Sequence, residues 1–104
     1  MAYRVSVTQA AEHDLDEIVS YFVKKLCNVH AAESLLEEFL KEKDNISENP
    51  YMYPLSNNLR LQSENYHRFL FKNNYIALYL IDDSKKEVVI MRIFYAKRDY
   101  SNLI

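Results

Sequence analysis

No glycine occurs anywhere in the 104 residues of this chain. Every left-handed backbone position must therefore be carried by a residue with a Cβ, and Asn and Asp tolerate that best. Asn28, Asn57, Asn58, Asn73 and Asn74 are the candidates. Dinucleotide-binding turns and triphosphate-binding loops need glycine where the backbone meets a phosphate closely, so Rossmann and P-loop readings are excluded. A chain of this length reads as one domain, residues 1–104. It is 49% apolar and 27% charged, the balance of a soluble globular protein with its own core. No apolar run approaches the ~20 residues of a membrane span. The stretch Met1-Ala-Tyr-Arg-Val-Ser-Val7 lacks an apolar leader core, so the cytoplasm is the expected location. Cys27 is the only cysteine and has no Cys-His motif around it. It reads as a small residue near a helix end.

Periodicity divides the chain into six elements. Tyr3 to Thr8 alternates and is β-branched, which predicts a short strand. Thr8 then offers an N-cap, with Glu12 and Asp14 near the helix start. Leu15, Ile18, Val19, Phe22 and Leu26 mark a first amphipathic helix over about 9–26. Ala32, Leu35, Leu36, Phe39 and Leu40 mark a second, ending near Ser47. The break between them at Cys27-Asn-Val29 permits only an antiparallel helix hairpin. Asn49-Pro50 stops the second helix. An apolar connector with Tyr51, Met52, Tyr53 and Leu55 leads to strands over about 66–71, 74–81 and 87–95, the first two joined at Lys72-Asn73. The expected fold is α+β, in the order β-α-α-β-β-β. An antiparallel sheet carries the helix hairpin on one face, and the N-terminal strand pairs at one edge. The other face is expected to be partly open. Both faces are apolar-rich, so the pattern leaves open whether His67 or Arg68, and Tyr75 or Ile76, face the helices.

Charge is unevenly divided. Residues 1–59 hold five Lys/Arg and ten Asp/Glu, a net of −5, while residues 60–104 hold eight and five, a net of +3. Any contact with a polyanion is expected on the second half. That half contains the arginine that most needs an explanation. Arg92 lies inside an apolar strand, where a cation is costly unless it is paired or faces a solvated groove. Just beyond lie Tyr95, Lys97, Arg98 and Tyr100. Glu33, Glu37, Glu38 and Glu42 read as a solvated helix face. His13 and His30 have no partner at metal-ligand spacing.

With this organisation the chain resembles the RelE/ParE superfamily of toxins from bacterial type II toxin–antitoxin systems, and closest within it the ParE-like branch. The residues that carry the resemblance span nearly the whole chain. They are Ala11-x-x-Asp14-Leu15-x-x-Ile18-x-x-Tyr21, the Asn49-Pro50 exit, Arg68-Phe69, Asn74-Tyr75-x-x-x-Tyr79-x-Ile81, and Arg92-Ile93-x-Tyr95-x-Lys97-Arg98-Asp99-Tyr100. The resemblance implies a small toxin neutralised by a cognate antitoxin laid across the sheet groove and the basic tail, with no metal or small cofactor. A ParE-like member would block its target by binding, with DNA gyrase first. Arg92, Tyr95, Lys97, Arg98 and Tyr100 are then the expected target- and antitoxin-binding residues, Tyr and Arg being the types enriched at binding hot spots. A RelE-like member would instead be a metal-free endoribonuclease acting on messenger RNA in the ribosome. It would want an arginine directly after the tyrosine of the middle strand, where this chain has Ile76. In that alternative His67 would be the base, Arg68, Arg92 and Arg98 the phosphate clamp, and Tyr100 or Tyr95 the acid.

Overall fold

The computed structural model describes residues 2–104; of the N-terminal stretch read above, Met1 lies outside them. Strand β1 (Arg4–Val7) leads into helix α1 (Gln9–Ser20), which runs on through a wide, π-helical turn (Tyr21–Lys25). Helix α2 (Val29–Glu48) follows, then a short 3₁₀ turn (Pro50–Met52) and a one-turn helix α3 (Leu59–Ser63). The chain ends with strands β2 (His67–Phe71), β3 (Tyr75–Asp82) and β4 (Glu87–Tyr95) and a second 3₁₀ turn (Ser101–Leu103). The expected α+β order is present, with α3 added inside the connector.

The sheet runs β1-β4-β3-β2. The last three strands form the expected antiparallel meander. β1 joins at the β4 edge in parallel, so the sheet as a whole is mixed rather than antiparallel throughout. The direction follows from the long connection: the chain passes through both helices and two strands before β4 arrives beside β1. Only two strands joined by a tight turn are obliged to run antiparallel.

Helix α2 buries Ala32, Leu35, Phe39 and Ile46, all on one helical stripe, against the sheet. The facing strand residues are Phe69 and Phe71 of β2, Ala77 and Tyr79 of β3, and Val88, Ile90 and Ile93 of β4. Each large side chain in this layer contributes roughly 1.5–3 kcal/mol by leaving water. The inward residues of β4 change parity between Ile90 and Ile93. The cause is a bulge: Leu78 pairs with Arg92 but the next residue, Tyr79, pairs with Ile90, which leaves Met91 extra. Thr8 holds the bulge in place. Its N–H donates to the Ile90 carbonyl at 3.1 Å, and its hydroxyl donates to the Met91 carbonyl at 2.8 Å while accepting the Ala11 N–H at 3.0 Å. One side chain thus caps α1, as expected, and ties its start to the irregular point of β4.

The second sheet face is covered, not open. Ile76, Leu78 and Phe94 pack with Leu61 of α3, and Tyr66, Ala96, Tyr100 and Ile104 close around them. Arg60 of α3 donates to the carbonyls of Ser101 at 2.5 Å and Ile104 at 2.8 Å, binding helix and tail together.

The left-handed positions are Cys27, Asn65, Lys72, Asn73 and Lys86. Of the five asparagines expected there, only Asn73 takes such a conformation. Asn28 and Asn58 instead cap α2 and α3, their side chains accepting the Ala31 and Leu61 N–H groups. Each non-glycine left-handed residue costs about 1–2 kcal/mol that the surrounding structure must offset. Glu42 also departs from expectation. It is partly buried, accepting from the Tyr53 hydroxyl and, at 2.8 Å, from Asn45 Nδ2, unlike the exposed Glu33, Glu37 and Glu38.

Thr8→Ala removes the helix cap and the bond to the bulge together. The expected loss is about 2 kcal/mol in urea unfolding, at the upper end for a capping residue.

Candidate binding surface at the end of the last strand

β1 accompanies β4 only from Glu87 to Ile90. Past that point α1 takes its place at the strand edge, and Asp14 of α1 does there what a neighbouring strand would do. Its Oδ2 accepts the Ile93 N–H at 3.0 Å and the Arg92 Nε–H at 2.7 Å, and its Oδ1 accepts from Arg92 Nη2 at 3.0 Å. Arg92 Nη1 donates to the Leu103 carbonyl at 2.9 Å, and the guanidinium lies 4.7 Å from the centre of the Phe94 ring. The Asp14 carboxylate holds the Arg92 pKa above its already high ordinary value. The cation inside the apolar strand is therefore paired, and Arg92 is a clamp between α1, β4 and the tail.

The other sequence-derived residues scatter. His67 faces the helix layer. Its Nδ1 lies 2.9 Å from the Tyr53 carbonyl, its ring stacks on Tyr79 at 5.3 Å, and Tyr51 meets it edge-on at 5.6 Å. Arg68, the next residue, faces the other way as strand alternation demands. It sits across from Leu78, with its Nε enclosed and without a hydrogen-bond partner among the described residues. Tyr100 stacks on Phe94 at 5.4 Å, with 10° between the rings, and belongs to the second apolar layer. Ile76 is buried in that same layer. The expected ribonuclease group thus does not assemble: its base lies on one sheet face, Arg68 and Tyr100 lie on the other, and Arg92 is committed to Asp14.

Tyr95, Lys97 and Arg98 remain together. Tyr95 is 43% exposed and meets Tyr75 edge-on at 5.9 Å. Lys97 and Arg98 are exposed, and neither forms an ion pair with any described residue. Arg98 and Tyr95 line a cleft of about 640 Å³ whose other wall is α1, through Asp14, Glu17 and Ile18, continued by Tyr21 of the wide turn, and whose floor includes Tyr75 and Ile93. The wide turn at Tyr21–Lys25 sets Phe22 against Tyr75, 6.2 Å between ring centres, at the end of this cleft. The α1 wall was not singled out as a site from sequence. Its signal was present in Asp14, Ile18 and Tyr21, which recur at helical spacing on one stripe.

A scan against family models matches residues 5–100 to the ParE toxin of the type II toxin–antitoxin system parDE. The chain belongs to the ParE toxin family. It is the toxin component of such a system. Solved structures agree on the fold. The chromosomal ParDE toxin–antitoxin system of P. aeruginosa superposes with a TM-score of 0.72 at 16% identity, covering 92% of this chain and 98% of that one. The RelBE2 toxin–antitoxin complex of Mycobacterium tuberculosis gives 0.61 at 23% identity, covering 93% and 95%. The archaeal RelE–RelB complex of Pyrococcus horikoshii OT3 gives 0.56 at 14% identity, covering 94% and 99%. No curated protein matches the chain significantly in sequence.

Asp14→Ala strands the Arg92 guanidinium and the Ile93 N–H. It is expected to cost about 3 kcal/mol in chemical unfolding, the range for breaking a desolvated pair from one side. Arg92→Lys is expected to recover little, because a single ammonium cannot reproduce the forked contact with Asp14 and the bond to Leu103.

The aromatic cluster around His67 carries its own pH signature. Burial, then the bond to Glu42, pushes the Tyr53 phenol up to about 12, and the bond to Asp83 pushes Tyr51 up to about 12. Burial likewise raises Tyr79. A folded-state pKa above the unfolded value of 10 means that stability is complete below pH 10. It is lost as pH rises from 10 towards 12. Phenolate absorbance in an alkaline titration is expected to show Tyr53 ionising above the ordinary value of 10, towards 12, and Tyr53→Phe is expected to flatten the loss of stability.

Proposed function

We propose that this ParE-family toxin, acting as a single domain in the cytoplasm, inhibits growth by binding and blocking a target, with DNA gyrase first. A cognate antitoxin neutralises it by covering the Tyr95–Arg98 surface. The observation that carries the reading is the division of labour among the cations. Arg92 is consumed by Asp14 and Leu103, whereas Lys97 and Arg98 stand exposed beside the half-exposed Tyr95, with no ion pair among the described residues. An exposed tyrosine next to unpaired basic side chains is the composition of a binding hot spot.

Metal-free RNA cleavage asks for more: a base, an acid and a phosphate clamp within reach of one another. Here His67 is stacked into the helix-side layer and Tyr100 into the opposite one. The arginine that the ribonuclease pattern wants after Tyr75 is the buried Ile76. The partner reading draws on the three structural relatives, each a toxin–antitoxin system or complex by its own description. Among the described residues no helix is long and apolar enough to cross a membrane.

Arg98→Ala is expected to keep the fold and abolish growth inhibition on induced expression. The purified parent chain is expected to inhibit supercoiling by gyrase, and the variant to do so at least about tenfold more weakly, the loss of one desolvated hot-spot contact. A folded Arg98→Ala protein of undiminished toxicity contradicts the assignment.

A further inference from the structure

The wide turn at the end of α1 changes which side chains reach the core. In an unbroken α-helix Leu15, Ile18, Val19, Phe22 and Leu26 would share one stripe, because residues three and four apart stack on one face. Through Tyr21–Lys25 the backbone bonds reach further: the Leu26 N–H donates to the Tyr21 carbonyl at 3.1 Å and the Asn28 N–H to the Phe22 carbonyl at 2.9 Å. A π turn holds more residues than an α turn and so rotates everything after it. Leu15, Ile18, Val19 and Phe22 pack on the core, whereas Leu26 is turned out and is 49% exposed.

Every residue from 23 to 30 is exposed, the large apolar side chains of Val23, Leu26 and Val29 among them. Such a run is a protruding tip rather than the wall of a groove, and the α1–β4 cleft reaches only as far as Tyr21. Charge also sets the tip apart. No Asp or Glu occurs from Ile18 to Ala32, although this half of the chain is acidic, and Lys24 and Lys25 form no ion pair with any described residue. Apolar side chains on a convex tip leave water only in a medium that closes round them. Aliphatic side chains flanked by lysines, with the exposed Tyr21 at their base, match the boundary between lipid headgroups and acyl chains.

We propose that the tip between α1 and α2 docks on an anionic lipid surface. Val23, Leu26 and Val29 enter the headgroup layer, and Lys24 and Lys25 meet the lipid phosphates. The three aliphatic side chains hold fewer carbons than one myristoyl chain, whose binding is itself marginal and reversible, so the contact depends on the lysines and hence on anionic lipid. It is separate from the Tyr95–Arg98 surface and does not draw on the target or antitoxin reading.

The test is sedimentation of the full chain with vesicles of phosphatidylcholine alone, or of phosphatidylcholine with phosphatidylglycerol. Binding to the anionic vesicles is expected to be at least about tenfold tighter, the effect of two lysines held at a charged surface, and to fade at high salt. Cys27 is the only cysteine and is exposed in the tip, so a polarity-sensitive dye attached to it is expected to shift to the blue on binding. Leu26→Glu, at an exposed position outside the core, is expected to keep the fold and to lose at least about tenfold in binding. Lys24→Gln combined with Lys25→Gln is expected to remove the preference for anionic vesicles.

Should Leu26→Glu fail to fold, the double lysine variant decides. No sedimentation with either vesicle, equal binding to both, undiminished binding by a folded Leu26→Glu chain, or binding without a change at Cys27 overturns the proposal. A tip that only a soluble protein covers gives the first of these results.

Discussion

A strand that ends too early sets the terms for the rest of this molecule. β1 covers four residues of β4 and then turns into α1, leaving the second half of the longest strand without a strand on the edge opposite β3. An unpaired strand edge against a helix would bury backbone groups without partners, a cost of roughly 1–3 kcal/mol each. The Asp14 carboxylate removes one such group by accepting the Ile93 N–H, and in doing so it becomes the anchor for Arg92. Arg92 in turn reaches the tail through the Leu103 carbonyl. Helix, strand edge and C-terminal segment are thereby fixed by one carboxylate and one guanidinium. A partly buried pair of this kind is a weak source of net stability, because both charges lose part of their water. Its contribution here is placement. It determines where α1 sits on β4, and so the width of the cleft beyond.

The same constraint separates structural from available cations. On the second sheet face Arg68 and Arg92 flank Leu78 from neighbouring strands, which in a one-dimensional reading makes them a pair aimed at a phosphate. In three dimensions that face is filled by Leu61, Ile76 and Phe94 and capped by Tyr66, Tyr100 and Ile104. What stays exposed is the last residue of β4 and the two basic residues just beyond it. Tyr95, Lys97 and Arg98 lie there, beside a helix wall built from Ile18 and Tyr21.

Most of the architecture was legible because it rests on periodicity. The two helices, the meander and the Thr8 cap all follow from apolar spacing and short connections. Three things were not legible, each for a physical reason. The parallel pairing of β1 depends on where a distant strand arrives, which local pattern does not encode. The parity of β4 switches at Met91 through a bulge, so that Ile90 and Ile93 face the same way although they are three residues apart. The connector hides α3, a single turn too short to show a period, and with it the cover of the second face. The site followed the same rule. Tyr95, Lys97 and Arg98 were visible as a cluster in sequence, whereas the state of Arg92 turned on Asp14, seventy-eight residues away. His67 was sorted from Arg68 only by which way the strand faces.

The mode of action we propose for this toxin is occupation of a target, not cleavage of RNA. Primer extension on a defined message in a translating cell-free extract, with and without the purified chain, tests it most directly. The message is expected to stay intact at concentrations that arrest growth. Discrete cuts at ribosomal A-site codons would contradict it.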